Sequence, residues 1–194
     1  FKTISIVNNK SYGWTEFIEY KPLISKKEIA DFYNSLGGIL ALLYILNATD
    51  FHYENIIAYN QYPVLIDLES LFHTSIHQSQ ELTNSKAINQ ALQLLMNSVL
   101  SIGILPYRKI YINKQPFDIS GINNVNNQTT PFKMDELKNN YTDNAKISKV
   151  YKKMKPANNS PINNNEDFSF KNFKEDIVKA VSYTHLTLPT SDLV

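Results

Sequence analysis

The chain has 194 residues, of which 43% are hydrophobic, enough for one domain, or part of a larger one, with a buried core. Its 19 Lys and Arg residues nearly balance 18 Asp and Glu residues, so the net charge is +1. That balance argues against a nucleic-acid-binding protein and against a polybasic membrane anchor. The chain contains no cysteine, which excludes disulfides, thiol nucleophiles and thiolate zinc sites within it and fits a reducing, cytoplasmic setting.

Glycine-rich nucleotide loops and membrane spans are also excluded. The five glycines form neither GxGxxG nor GxxxxGK[ST], so a Rossmann fingerprint and a P-loop are both absent. The longest apolar run, Leu36 to Leu46, is well short of the roughly 20 residues that a transmembrane helix needs. No transmembrane segment is therefore predicted.

The N-terminal part is predicted to hold two strands and one long helix. Residues 1–7 and 14–20 alternate in the manner of strands. Ser25 and Glu28 have the spacing of a capping box, in which each side chain accepts from the other residue's backbone N–H. Apolar residues at helical spacing follow, and they predict a buried helix that ends near Asn47.

A hairpin and a second helix are predicted next. Residues 55–59 and 62–67 are two short strands around the turn residues Asn60 and Gln61. Residues 85–101 have apolar side chains on one helical face, which predicts an amphipathic helix.

The C-terminal part is more polar. We expect mostly loops over 113–166, with one short helix near 134–140, and a final helix over 168–180. The run VSYTHLTLPT at 181–190 resembles the translation of a transposon-end adapter used in sequencing libraries. We therefore expect 181–194 to be foreign and the native product to continue past Ala180.

The residues that indicate chemistry lie between 48 and 72. A phosphoryl transferase needs a carboxylate that accepts the proton of the attacking hydroxyl, and oxygen ligands for Mg²⁺. In protein kinases that Asp and a metal-binding Asn share one loop, with four residues between them. Asp50 and Asn55 have the same separation, and a hairpin then leads to a second Asp, Asp67, which matches the metal-binding Asp of the kinase DFG motif. Glu69 is expected on the same strand face as Asp67.

Each of these residues also has an ordinary structural explanation. Asp and Asn are common caps at helix ends, and Asp67 could cap the next turn. The joint pattern of spacing, order and strand context favours the kinase-like site over these separate explanations.

The same run resembles the dehydratase domain of the type 2 (LanM-type) lanthipeptide synthetases. The family pattern D-x-H-x-x-N is present as Asp50, His52 and Asn55, and Y-P-V-L-I-D-x-E-x-L-F as residues 62–72. Weaker matches elsewhere are Tyr12-Gly13-Trp14, Glu16-Phe17-Ile18, Phe32-Tyr33, Gly37, SVLSIGILP at 98–106 and DISG at 118–121.

The resemblance implies an α+β fold related to lipid kinases, of which residues 1–180 would be a C-lobe fragment truncated at both ends. It implies an enzyme that uses ATP and Mg²⁺ to phosphorylate Ser and Thr of a ribosomal precursor peptide with a leader, and then eliminates the phosphate to leave dehydroamino acids. A cytoplasmic location, at most peripheral to a membrane exporter, goes with that role.

The resemblance also assigns roles to the loop residues. Asp50 would be the catalytic base, and His52 would support the loop or contact phosphoryl oxygens. Asn55 and Asp67 would bind the ATP–Mg²⁺ cofactor through the metal, with Glu69 as a further metal ligand. A packed loop histidine remains the alternative for His52.

Parts of the family's machinery are not expected in this chain. The ATP-anchoring Lys would lie upstream, the elimination residues after 180, and the zinc cyclase in a further domain of the same polypeptide. We therefore expect the fragment alone to be inactive. A small-molecule or lipid kinase of the same fold, and a catalytically silent peptide-binding fragment, remain the alternatives.

Overall fold

The computed structural model of the chain describes residues 1–73, 85–106, 109–110, 116–123, 128–155, 157–162 and 170–187. The described part combines three α-helices with four two-stranded antiparallel sheets, which confirms the predicted α+β class. The helices are α1 (Lys26–Ile45), α2 (Lys86–Met96) and α3 (Lys174–Thr187). The strands are β1 (Ile6–Asn9), β2 (Tyr12–Thr15), β3 (Ile56–Tyr59), β4 (Tyr62–Leu65), β5 (Lys109–Ile110), β6 (Pro116–Phe117), β7 (Met134–Lys138) and β8 (Lys146–Val150).

Helix α1 is the centre of the core, as its apolar spacing predicts. Its buried face packs against α3 and β4 and includes Ile29, Phe32, Tyr33, Leu36, Ile39, Leu40 and Leu43. Gly37 lies against α3 so closely that a Cβ there would overlap the carbonyl of Ile177. The predicted capping box is wrong, because the Ser25 side chain makes no cap hydrogen bond and its backbone carbonyl accepts from Ile29 instead.

The hairpin of β3 and β4 is confirmed within two residues of its predicted limits. Asn60 takes a left-handed φ of 51° at the turn, which Asn tolerates better than most residues. Its own residues Ile56 and Ala58 of β3 and Val64 of β4 are almost completely buried. The hairpin is therefore a rigid part of the core, and the loop before it and the segment after it start from fixed points.

Four other predicted elements differ from the structure. The first two strands are shorter and shifted, and they pair as an exposed hairpin from Ile6 to Thr15. The second helix ends at Met96, and a 3₁₀ helix, Val99–Ile102, follows after Ser98, whose hydroxyl accepts from the Leu100 N–H. The predicted helix at 134–140 is wrong, because those residues form β7 and pair with β8.

A segment at 157–162 crosses the polar C-terminal part and ties distant elements together. Its carbonyls accept hydrogen bonds from Leu23 and Ala58, at 2.6 and 2.7 Å. The Tyr20 hydroxyl donates to the carbonyl of Ile162 at 3.1 Å. This segment holds β3 against the chain that leads into α1.

The last helix begins with a 3₁₀ turn, Phe170–Phe173, and continues as α3 to Thr187. It therefore runs into the segment 181–194 that is predicted to be foreign, and residues 188–194 lie outside the described ranges. None of the helices in those ranges is long and apolar enough to cross a membrane.

Candidate functional site

The polar loop at 49–55 connects α1 to β3 and is anchored by the apolar residue Phe51. Phe51 is completely buried, and its N–H donates to the carbonyl of Ile102 at 2.7 Å. Two residues later the Tyr53 N–H donates to the carbonyl of Ile119 at 3.1 Å. The polar residues Asp50 and His52 on either side of Phe51 are thus presented from a fixed backbone.

Asp50 is exposed and has an unusual backbone. Its φ is 65°, in the left-handed region that few residues other than Gly, Asn and Asp enter. The Asn55 side-chain amide donates to the Asp50 carbonyl at 2.8 Å and so closes the loop across that residue. With 69% of its side chain exposed, the Asp50 carboxylate is accessible to a substrate.

His52 stands between Asp50 and the loop backbone. Its Nδ1 accepts a hydrogen bond from the Glu54 N–H at 3.2 Å, so the neutral ring carries its proton on Nε2. That Nε2 lies 3.8 Å from Asp50 Oδ1, which is longer than a hydrogen bond. The imidazole is therefore oriented toward the carboxylate by the loop itself.

Asp67 lies at the end of the hairpin where Asn55 enters β3, but it follows β4 and is not part of the strand as predicted. Strand β4 ends at Leu65, and the Ile66 N–H donates to the carbonyl of Asn55 at 3.1 Å. Asp67 and Glu69 then lie in a turn, where Asp67 Oδ1 accepts from the Glu69 N–H at 3.2 Å. The expectation that the two share a strand face is wrong, because the strand has already ended.

The segment after Asp67 is hydrogen-bonded to the end of α1. The Thr49 N–H donates to the carbonyl of Ser70, and the Ser70 hydroxyl donates to the carbonyl of Thr49. The Phe72 N–H donates to the carbonyl of Leu46 at 3.0 Å. The structure thus joins the loop carrying Asp50 and Asn55 to the turn carrying Asp67.

The oxygen donors fit Mg²⁺ better than a transition metal. Asn55 uses its amide nitrogen on Asp50, which leaves its amide oxygen as the group able to coordinate a cation. Asp67 offers a half-buried carboxylate, whereas Glu69 is exposed. Mg²⁺ is commonly held by one or two carboxylates and completes its shell with waters and phosphate oxygens. Within the described ranges, no group of three or more His, Asp or Glu side chains lies close enough together to hold a metal ion.

Tyr53 is the loop residue whose titration the structure perturbs most. Burial of its phenol raises its pKa to about 12, and the neighbouring Glu54 carboxylate adds to that rise by charge and by hydrogen bonding. Tyr53 is thus a neutral hydrogen-bond donor over the physiological range, and it contributes no negative charge beside Asp50.

Sequence reasoning missed a set of buried polar residues that lie behind the loop. Asp118 and Ser120 are 6% and 5% exposed, and Asp118 Oδ1 accepts from the Ser120 N–H at 2.9 Å. Asn159 is 3% exposed, and its amide donates to the carbonyls of Gly121 and Asn123 at 2.8 and 2.9 Å. The motif DISG at 118–121 was the available signal for the first two, whereas nothing in its polar surroundings distinguishes Asn159.

Comparison with known proteins gives two matches. The family described as "Domain of unknown function (DUF4135)" matches residues 1–188. The Lacticin 481/lactococcin biosynthesis protein LcnDR2 of Lactococcus lactis subsp. lactis is 29% identical over 199 residues, which cover 95% of this chain and 20% of that protein. The chain thus spans about a fifth of the length of the curated relative it matches. These matches confirm the predicted resemblance to the type 2 lanthipeptide synthetases.

Proposed function

The chain belongs to the DUF4135 family, and on that premise we propose that it carries the catalytic-base and metal-binding end of a lanthipeptide dehydratase. The full-length protein would phosphorylate Ser and Thr of a ribosomal precursor peptide with ATP and then eliminate the phosphate. The name of its relative, a lacticin 481/lactococcin biosynthesis protein, supports the pathway. The kinase-like fold and the cytoplasmic location are part of the same proposal.

One observation carries the proposal for the chemistry. Asn55 fixes the carbonyl of Asp50 at 2.8 Å, and the backbone of Asn55 is itself bonded to the residue before Asp67. A base and two oxygen donors for a metal are thereby connected through a single hydrogen-bonded unit. The bond from Ile66 continues the pairing of β3 with β4 beyond Ile56 and Leu65, so the hairpin itself places Asn55 beside the residue that precedes Asp67.

In the first step, Asp50 accepts the proton of a Ser or Thr hydroxyl. That oxygen bonds to the γ-phosphorus of ATP as the bond to the ADP oxygen breaks. His52 supports the loop beside Asp50, because its Nδ1 accepts from the Glu54 N–H and its Nε2 lies 3.8 Å from Asp50 Oδ1. In the second step, the Cα proton is lost and phosphate leaves Cβ, so that a carbon–carbon double bond forms. No residue of this chain is assigned to that proton removal.

Asn55 and Asp67 are the residues that would hold Mg²⁺, with Glu69 at the edge of the site. The cation, when bound, neutralises phosphate charge. The Asn55 side chain would serve two purposes. Its amide nitrogen donates to the Asp50 carbonyl, and its amide oxygen remains free to bind the metal. The ordered link between these residues supports a loop that is shaped before substrate arrives.

The test is Asp50→Asn in the full-length protein, incubated with the precursor peptide, ATP and Mg²⁺ and followed by mass spectrometry. Loss of the base should slow phosphorylation, and hence dehydration, by about 10²–10⁴-fold. Asp135→Asn, at an exposed position of β7, is the matched control and should leave the rate unchanged. Unchanged dehydration by Asp50→Asn would remove Asp50 from the mechanism.

The same assay separates the alternatives. A phosphorylated product that the wild-type protein never dehydrates would favour a kinase of the same fold. Binding of the precursor peptide without Mg²⁺-dependent ATP binding, measured by calorimetry, would favour a silent binding module.

A further inference from the structure

Two turns from distant parts of the chain enclose the loop that carries Asp50. One is the turn at 102–104, which accepts the Phe51 N–H, and the other is the turn at 118–121, which we call the DISG turn. His52 pairs with Ser120 in an antiparallel bridge, and the Gly121 N–H donates to the carbonyl of Gly103 at 2.8 Å. The two turns therefore hold each other as well as the loop.

Both turns touch Phe51 through a glycine. A Cβ on Gly121 would lie 2.6 Å from the carbonyl oxygen of Phe51 and 2.6 Å from Cδ1 of Ile56. A Cβ on Gly103, whose φ is 92°, would lie 3.1 Å from the Phe51 nitrogen. These two glycines thus contact the peptide groups on both sides of Phe51. Those peptide groups join Phe51 directly to Asp50 and to His52.

The DISG turn is itself braced by buried polar groups. Asp118 caps the Ser120 N–H from within the turn, and its backbone carbonyl accepts from the Gln128 amide at 2.8 Å. From the other side, Asn159 donates to the carbonyl of Gly121 at 2.8 Å. Because Asp118 and Asn159 are buried and hydrogen-bonded, the turn has little freedom to retreat from the loop.

We propose that Gly121, held by Asp118 and Asn159, is a positioning residue for the loop. The absence of a side chain at Gly121 lets the Phe51 carbonyl sit where the Asp50 carboxylate and the His52 ring are correctly placed. This inference rests on the proposed function for its catalytic readout. Its structural content, that Gly121 sets the conformation of residues 49–55, stands without it.

The test is Gly121→Ala in the full-length protein. A displacement of about 1 Å at a catalytic group can cost about 10²-fold in rate. We therefore expect kcat for peptide phosphorylation to fall about 10²-fold, with KM for the peptide within about twofold of the wild-type value. A kcat equal to that of the wild-type protein would overturn the proposal.

A second variant separates the loop from the core. Ile56→Val removes Cδ1, one of the two atoms that would lie 2.6 Å from a Cβ on Gly121, and leaves the other, the Phe51 carbonyl oxygen, in place. The double variant, which carries Gly121→Ala and Ile56→Val, should be more thermally stable than Gly121→Ala alone, but its kcat should remain as low. Full recovery of kcat would mean that Gly121 matters only for core packing, and the proposal would fail. The double variant also carries the test if Gly121→Ala alone does not fold.

Gly37→Ala is the matched control, since its Cβ would also overlap a carbonyl, but between α1 and α3. It should lower stability without changing kcat of the folded protein. Hydrogen–deuterium exchange followed by mass spectrometry measures the opening of the backbone independently of enzyme activity. Gly121→Ala should speed exchange in peptides covering 49–55, whereas Gly37→Ala should do so in α1 and α3.

The exchange data distinguish the two possible failures. If the wild-type protein phosphorylates no peptide but Gly121→Ala still loosens 49–55 selectively, the proposed function is wrong and the positioning role stands. If the wild-type protein is active and the variant changes neither exchange at 49–55 nor kcat, the positioning role is wrong and the proposed function stands.

Discussion

The two hairpins β3–β4 and β7–β8 have the same topology and very different surroundings. Both are antiparallel pairs with regular registers. In the first, Ile56 is 1% exposed, whereas in the second Ile147 is 71% exposed. Strand pairing alone is marginal for a two-stranded hairpin in water, so burial makes the first one rigid. The candidate catalytic residues flank the buried hairpin, which agrees with the need for a fixed scaffold beneath a reactive loop.

Hydrogen bonds from other elements add to that contrast. The Ala58 N–H of β3 donates to the carbonyl of Asn158, and the Ala58 carbonyl accepts from the Lys21 N–H at 2.9 Å. The second hairpin is instead extended by its own flanking residues, where Thr129 pairs with Lys153. The first hairpin is thus integrated into the core, and the second is a locally closed unit.

The largest effect should come from shortening the same residue type in each hairpin. Ile56→Ala leaves a cavity in the core and should lower the local opening free energy of β3 by about 2–5 kcal/mol. Ile147→Ala, at an exposed position, should change that of β8 by less than about 0.5 kcal/mol. Native-state hydrogen exchange of the strand amides measures both. Similar costs in the two hairpins would contradict the distinction.

An intermediate effect is expected at the polar brace behind the loop. Asn159→Ala removes the donor from two carbonyls, those of Gly121 and Asn123, and should cost about 1–3 kcal/mol of unfolding free energy. Asn140→Ala, in the exposed loop between β7 and β8, is the matched control and should be nearly neutral. Chemical denaturation with exchange data for residues 118–123 would show whether the brace acts locally. A neutral Asn159→Ala would mean that the carbonyls find other donors.

The smallest effect concerns pH at Tyr53. Burial raises its pKa from 10.0 to about 12, so folding favours the neutral phenol. This contribution to stability is fully present below pH 10 and is lost as pH rises toward 12. The difference in phenolate absorbance between wild type and Tyr53→Phe should therefore titrate near the upper value. Glu54→Gln should move that titration downward, and a midpoint at 10 in the wild-type protein would contradict the burial of the phenol.

Hydrophobic periodicity predicted α1 and β3–β4 because both elements are buried, and their apolar spacing records that burial directly. The same reasoning failed for β7. Met, Glu, Leu and Lys favour helices intrinsically, yet pairing of residues 134–138 with 146–150 overrides that weak preference. Without a buried face, β7 carries no alternating signal to correct the prediction.

The candidate site divides in the same way. The spacing of Asp50, His52 and Asn55 along one loop is a property of the sequence, and the hydrogen bonds within the loop follow from that spacing. The turn that carries Asp67 was misjudged, because the end of β4 depends on bonds between residues 66–73 and 46–55. Such bonds join segments that are apart in the sequence, and the sequence does not show that these segments lie side by side in the folded protein.

The sequence by itself determined the chemical character of the site: a carboxylate, an imidazole and oxygen donors in a short loop between a buried helix and a buried hairpin. Only the tertiary structure decided what holds that loop in place. Gly103, Gly121 and Asn159 are about 50 to 110 residues from it along the chain. Their role depends on close backbone approach and on buried carbonyls that need a donor. Neither condition leaves a periodic pattern in sequence, because both arise when distant segments pack together.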